Sequence, residues 1–501
     1  MYERLERRVT WLLALLGVVA AAVWLVSATR FVDGVDLYVF VNHARDMVRG
    51  MAPESDTAYR YFPGVYTFWR FSLWCFGSEL HVIQCGVTAL LAVNALLTGL
   101  LSWRLATSAP VGCLGCILYL CIASRCECLS GTAEPLSTIP FLFALLFLSF
   151  ELPKHRWIRL MMAGIGFGLC VYCKQQAGLL TLGVVAIPVS AVVVSPRWPA
   201  IFRSSRDVAV IALVAAVTLL LGILCEGKGL SPLAQGLRMA ADYDAHGSWF
   251  GNLYHVFRND ESIGLMAAAA AGGIVLAAKS RRTDNDRTLV VVGILSCAGM
   301  AALAQFRTRA YYHYFLLTLP CLVTVFVWSA HLFVQRFATS SAVHRCLRAI
   351  VVLLAVVPVL RTGERPFDFE AWNPVLTSVS GEKRPWHAAA DVQSDLARLR
   401  PHVPPQGQIL VLPPVRSAVY FLLDGFQSSG YGFGPSGLEN VNWDRLQAAV
   451  VIESMDDREA ANWKAADCDS AMLTLEKRGF MQTRQSGRFS LWERHSTQSA
   501  D

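Results

Sequence analysis

"DLYVFVNHARDMVRG", residues 36–50, decides how the first part of this chain is read. It follows a long apolar run, opens with an acid and closes with glycine. Apolar side chains recur at Leu37, Phe40, Val41, Ala44 and Met47/Val48, which is helical spacing, and Asn42, Arg45, Asp46 and Arg49 fill the opposite face. The pattern predicts an amphipathic helix lying on an apolar surface and stopped at Gly50. Asp36 stands at its start, where the chain leaves the apolar run. An acid there either caps the helix or does chemistry at a membrane surface. Asp33, three residues earlier, is the rival acid.

Composition agrees with a membrane setting. Of 501 residues, 54% are hydrophobic and 16% charged, and the mean hydropathy is +0.42. Soluble domains average about 25% charged residues. A net charge of +7 is modest, and in a membrane protein it is mostly anchoring charge, so no nucleic-acid partner is expected. The 14 cysteines sit mainly inside apolar runs, as small hydrophobes. Cys126 and Cys128 form a lone C-x-C with no second pair nearby, so no metal is expected, and no other cofactor is implied.

Runs long enough to span a bilayer read at 9–29, 81–101, 110–123, 135–150, 160–173, 177–195, 207–225, 262–278, 288–305, 314–334 and 346–360. The expectation is a mainly α, polytopic membrane protein with about eleven transmembrane helices. Basic clusters alternate with the runs. Arg4, Arg7 and Arg8 precede the first; Arg104, Lys154 to Arg159, Arg197 to Arg206, Lys279 to Arg287 and Arg336 to Arg348 follow. With eleven spans they share one side, which the positive-inside rule makes cytoplasmic. Val26-Ser27-Ala28 resembles a signal cleavage site, but the run is long for a signal core, and an uncleaved first helix is the expectation. The chain divides into a membrane domain, 1–361, whose first outer loop is 30–80, and an extracytoplasmic domain, 362–501. In that tail "QILVLPP" (408–414), "AAVVIE" (448–453) and "GRFSLWER" (487–494) read as strands and "ADVQSDLARLR" (390–400) as a helix, an α/β or α+β pattern.

The side opposite the basic clusters carries its own charge. Asp33 and Asp36 follow the first run, Arg125, Glu127 and Glu134 precede the fourth, Lys174, Gln175 and Gln176 lie at one turn, and Arg307, Arg309 and His313 precede another run. Ionisable groups near membrane depth are costly and are candidates for function, against the bland reading of snorkelling or a surface ion pair. Acids and bases from several loops on one side suit an anionic lipid substrate. Cations there stabilise a departing phosphate, and a carboxylate takes a proton from an acceptor hydroxyl. Trp69, Trp74 and Trp249 read as interfacial anchors, Trp69 also as a surface on which a sugar could stack.

These motifs resemble GT-C glycosyltransferases that use polyprenyl-phosphate sugars, the class of protein O-mannosyltransferases and lipid A aminoarabinose transferases. "DLYVFVNHARDMVRG" resembles their first outer loop, with Gly50 fourteen positions after Asp36. "YRYFPGVYTFWRFSLWCFG" (59–77) resembles the following Pro-Gly turn and surface helix. "TAEPLSTIPFLFALLF" (132–147), "YCKQQAGLL" (172–180) and "RTRAYYHYFLLTLP" (307–320) resemble three further family segments, and the resemblance covers residues 5–335. It implies a GT-C-like fold and transfer of a hexosyl or pentosyl group from a polyprenyl-phosphate donor to an envelope acceptor, by direct displacement with a carboxylate base. It places the catalytic acid on Asp36, with Asp33 as rival, and substrate contacts on Lys174, Gln175, Arg307, Arg309, His313 and Glu134. Tyr61 and Phe62 hold the place of a basic residue in many relatives, so either Arg60 substitutes there, beside Tyr61, or that phosphate contact is lost. The alternative is a flippase or transporter of lipid-linked sugars, but no inverted repeat is visible.

Overall fold

The protein is seen in a computed structural model that describes residues 35–50, 62–123, 133–150, 155–189, 198–226, 230, 234, 251, 254, 286–303, 314–337, 388–404, 407–412, 419, 422–423, 426–427, 441, 443–452 and 465–494. The chain forms two compact units. One comprises Met1–Arg30, Tyr59–Val65 and Cys85–Leu376; the other comprises Phe31–Ala58, Tyr66–Gln84 and Thr377–Asp501.

The quoted stretch is helix α1 (Val35–Val48). Gly50 ends it at φ +78°, a conformation that suits glycine, and its N–H reaches the Met47 carbonyl at 3.1 Å. Leu37, Phe40, Val41 and Ala44 of the predicted apolar face are buried, while Val48 at its end is exposed. The opposite face is a correction. Asn42 is buried and Arg45 is only 1% exposed, with its Nε 3.4 Å from Asp46 Oδ1. Phe40 and His43 both meet the ring of Tyr66 edge-on, at 5.6 and 5.7 Å, in helix α2 (Gly64–Phe76). Protein therefore lies along the flank that the sequence assigned to water. Along α2, Trp69 is 1% exposed and packs edge-on against Phe68, so it is a core side chain and no platform for a sugar. Phe71, Trp74 and Phe76 are exposed on the same helix, as interfacial anchors are.

The first unit holds most of the apolar runs. They fold as helices α3 (Leu80–Ala106), α4 (Ala109–Ala123), α5 (Ala133–Ser149), α6 (Arg156–Cys173), α7 (Gly178–Thr181), α8 (Trp198–Cys225), α9 (Asp286–Ala302) and α10 (Phe315–Phe337). Short 3-10 turns, Gln175–Ala177 and Leu182–Val185, flank α7. Among the described residues four helices are long and apolar enough to cross a membrane, and shorter apolar ones lie between them. The runs expected at 9–29, 262–278 and 346–360 lie outside the described residues.

Glycines set how closely these helices pack. A β-carbon on Gly164 or Gly168 of α6 would stand 2.9 or 2.5 Å from the Ile211 or Ala215 carbonyl oxygen of α8. On Gly166 it would stand 2.5 Å from the Pro140 carbonyl oxygen of α5. Helix α6 thus meets a neighbour on each of two faces with backbone against backbone. Gly99 of α3 and Gly112 of α4 approach one another in the same way. Behind them Leu101, Phe141, Leu145, Phe167, Ile211, Leu295, Leu317 and Trp328 form one core.

The two ends of this layer differ in chemistry. At one end the Arg104 guanidinium lies 5.6 Å from the Phe150 ring, Arg159 donates to the Phe150 carbonyl at 2.7 Å, Arg156 pairs with Asp207, and Arg206 lies 5.3 Å from the Trp157 ring. The other end holds the first residues of α5, the last of α6 and the start of α10.

In the second unit the tail forms a five-stranded sheet in the order β2-β1-β3-β5-β4, where β1 is Gln408–Leu412, β2 Phe426–Gln427, β3 Leu446–Ile452, β4 Phe480–Ser486 and β5 Phe489–Arg494. Strands β1, β2 and β3 run parallel, and β5 is antiparallel to β3 and β4. Successive side chains of a strand face opposite ways. Ile409 and Val411 accordingly meet Leu396 and Leu399 of helix α11 (Ala388–Leu399), while Leu410 and Leu412 join Cys468, Ala471 and Leu475 of α12 (Ala465–Lys477). Burial on both faces is why "ILVL" is uninterrupted.

Candidate functional site

Helix α6 ends at Cys173, where Lys174 turns to extended backbone, φ −154° and ψ 125°. Its N–H still donates to the Cys170 carbonyl at 3.3 Å, and its own carbonyl accepts from the Ala177 N–H at 3.0 Å. The Lys174 backbone is therefore tied both to the helix behind it and to the 3-10 turn ahead. Its side chain is almost wholly buried and pairs with Glu134, whose carboxylate is likewise buried. Glu134 stands in the first turn of α5, where the helix dipole favours an acid. The Lys174 ammonium also lies 5.1 Å from the centre of the Tyr314 ring, at the start of α10, within cation–π range. Three helices separated by long stretches of sequence thus converge on one ammonium group.

A second set of contacts fixes the turn just before α2 against the same place. The Phe62 N–H donates to Gln175 Oε1 at 3.3 Å. A β-carbon on Gly64 would stand 2.8 Å from the Cys173 α-carbon, the Tyr172 ring and the Tyr172 carbonyl oxygen. Only glycine admits that approach. Tyr172 in turn lies over Gly222 of α8, and its hydroxyl donates to Glu226 Oε1 at 2.9 Å. Gln176 Oε1 is buried and has no hydrogen-bond partner among the described residues.

Beneath Glu134 lies a polar girdle. Asn94 of α3 donates to the Pro135 carbonyl at 2.6 Å and accepts from Thr138 at 2.7 Å. The hydroxyl of Ser137 donates to the Glu134 carbonyl at 2.9 Å. Asn94, Ser137 and Thr138 are fully buried, so these bonds replace water that the site excludes.

Of the residues singled out in the sequence, the structure brings together Glu134, Lys174 and Gln175. Asp36 belongs to the other unit, as the second residue of α1, inside its first turn and not at the cap; only its backbone is described. Asp33, Arg60, Tyr61, Arg307, Arg309 and His313 lie outside the described residues, as do Cys126, Glu127, Cys128 and Trp249. Sequence reading missed Tyr172, Glu226, Asn94 and the buried Arg45. Glu226 had a signal, an acid closing an apolar run, whereas Tyr172 appeared only as the first residue of "YCKQQAGLL".

No family model matches this chain, and no curated protein matches it in sequence. In structure it is similar to ArnT from Cupriavidus metallidurans bound to undecaprenyl phosphate, with a TM-score of 0.59 and 15% identity over 96% of this chain and 98% of that one. It is similar to the same protein in the apo state, with a TM-score of 0.58 and 16% identity over 97% and 98% of the two chains. At such identity the likeness is one of fold, and it runs over nearly the full length of both chains. With its apolar helices and a charged buried cluster at one end of them, the chain has the fold of ArnT.

Proposed function

We propose that the protein transfers a sugar from a polyprenyl phosphate to an acceptor outside the cytoplasm. The observation that carries this reading is the Lys174 ammonium, held at one end of the helical layer by Glu134 and Tyr314. The opposite end carries Arg104, Arg156, Arg159 and Arg206 and is the cytoplasmic one by the positive-inside rule. Lys174 then faces the outer leaflet, at the depth where a lipid-carried phosphate sits. The GT-C fold, which in ArnT binds undecaprenyl phosphate, supports the same donor class. The full molecule in this reading has about eleven spans, a membrane domain over 1–361 and an extracytoplasmic domain over 362–501, in the plasma membrane with its N-terminus inside.

The reaction is a single displacement. Asp36, or Asp33 in its place, takes the proton of the acceptor hydroxyl as that oxygen attacks the anomeric carbon. The bond from this carbon to the phosphate oxygen breaks, and the polyprenyl phosphate leaves with the electron pair. Lys174, with Arg307 and Arg309, stabilises the charge that develops on it. Gln175, Arg60, Tyr61 and His313 complete the substrate contacts. The configuration at the anomeric carbon inverts.

Asp36→Asn tests the base. Asn has the shape of Asp, and losing its charge in the first turn of α1 costs about 0.3–1 kcal/mol, so the variant folds and binds donor. Transfer of labelled sugar from polyprenyl phosphate in detergent then falls on the order of 10²–10⁴-fold. Asp33→Asn is the control. Loss in Asp33→Asn alone moves the base by three residues, and full activity in both variants sinks the first-loop mechanism.

A further inference from the structure

An enzyme that grips a phosphate must also let the product phosphate go. Lys174 has one buried partner that bears on this. Its ammonium is already paired with the Glu134 carboxylate, and both side chains are buried. Neither backbone can retreat: Lys174 is tied at both its N–H and its carbonyl, and Glu134 lies in the first turn of α5, with its carbonyl accepting from Ser137. Of the three donors on an ammonium, one is directed at the carboxylate, while the charge lies against the Tyr314 ring. The pair is electrically neutral as a unit. A phosphate arriving at Lys174 must share the ammonium with an acid that cannot leave.

We propose that Glu134 is a positioning residue that acts through Lys174: a fixed counter-ion that weakens the lysine's hold on a lipid phosphate and so permits release of the product. This rests on the reading of Lys174 as a phosphate contact. It differs from the expectation of a direct substrate contact at Glu134, because it acts on the phosphate through Lys174. Like charges sharing one cation in a poorly solvated site repel, so removing the acid strengthens the remaining contact.

The test measures binding of undecaprenyl phosphate to purified protein in detergent, together with single-turnover and multiple-turnover sugar transfer. In Glu134→Gln, undecaprenyl phosphate binds about tenfold tighter or more, the size of one strengthened charge-assisted contact. Single-turnover transfer is retained while multiple-turnover transfer falls and product inhibition deepens. Lys174→Ala binds more weakly, and the double variant behaves as Lys174→Ala. A merely structural ion pair gives no gain in affinity, so unchanged or weaker binding in Glu134→Gln, with binding lost in Lys174→Ala, overturns the counter-ion role and leaves the donor reading intact. If wild type does not bind undecaprenyl phosphate, or Lys174→Ala binds as wild type does, the donor reading fails and takes this proposal with it. Melting temperature checks folding. Should Glu134→Gln not fold, Glu134→Asp draws the carboxylate back by one bond, about 1.5 Å. It must then bind undecaprenyl phosphate more tightly than wild type, and unchanged or weaker binding overturns the role.

Discussion

Gly50 and Gly64 are needed for different reasons. Gly50 has φ +78° and nothing within 4 Å of where a β-carbon would go. Alanine there strains only the backbone, at about 1–2 kcal/mol. Gly64 has room for no side chain at all, because backbone of Cys173 and Tyr172 already fills the place. Gly64→Ala forces the turn before α2 away from Lys174 and costs about 1–3 kcal/mol in overpacking. The expected result is a lower melting temperature than for Gly50→Ala, together with weaker donor binding, which Gly50→Ala leaves unchanged. Equal effects of the two would show that the close approach at Gly64 is unimportant. Glu134, Lys174 and Gln175 were legible in the sequence because charge and amide groups at the ends of apolar runs have few innocent uses. Gly64 and Tyr172 were not. A glycine after proline reads as a turn and a tyrosine in an apolar run as an interfacial ring, and only the folded chain puts them against each other. Arg45 was misplaced for a related reason: periodicity names one buried face and says nothing of what packs on the others.

At the scale of elements, hydrophobic runs were read well where one run makes one helix, as in α3, α5 and α10. The run at 177–195 was not read in detail. It starts as a 3-10 turn, passes through the four residues of α7 and tightens again at Leu182–Val185. Gly183 lies there with a would-be β-carbon 2.6 Å from the Ile294 carbonyl oxygen of α9. Apolar content carries no mark of such winding. In the tail, β1 and β3 were legible because both faces are buried, whereas β4 was not: its central residues Met481 to Gln485 are all exposed, so no alternation marks it. Packing between elements predicts the effect of Gly168→Val. Its new side chain meets the Ala215 carbonyl oxygen and Thr218 of α8, so the helix pair separates and stability falls by about 1–3 kcal/mol or more. Gly178→Ala meets only Val171 methyl groups, at 3.8 and 3.9 Å, and stays within about 0.5 kcal/mol of wild type. Thermal melts in detergent compare the two; similar melting temperatures would remove the role given to glycine in α6.

At the scale of the molecule, the proposed topology places residues 155, 200 and 283 in the cytoplasm and 240 and 400 outside. Reporter fusions after each residue check it, and an outside signal at 283 would break the alternation on which a shared outer site depends. The architecture was legible from the order of the motifs more than from any one of them. Their convergence was not, since no spacing along the chain states that residues 134, 174 and 314 meet.

The glycine contacts of α6 carry a mechanical consequence. Where side chains interdigitate, helices can slide by trading one rotamer for another. Helix α6 presents glycine backbone to α5 on one face and to α8 on another, beside side-chain contacts such as Phe167 against Phe141, so little is left to trade. A force applied to this protein in a bilayer meets no weak seam between those three helices. They are expected to resist shear together, and the lysine at the end of α6 is fixed to that block.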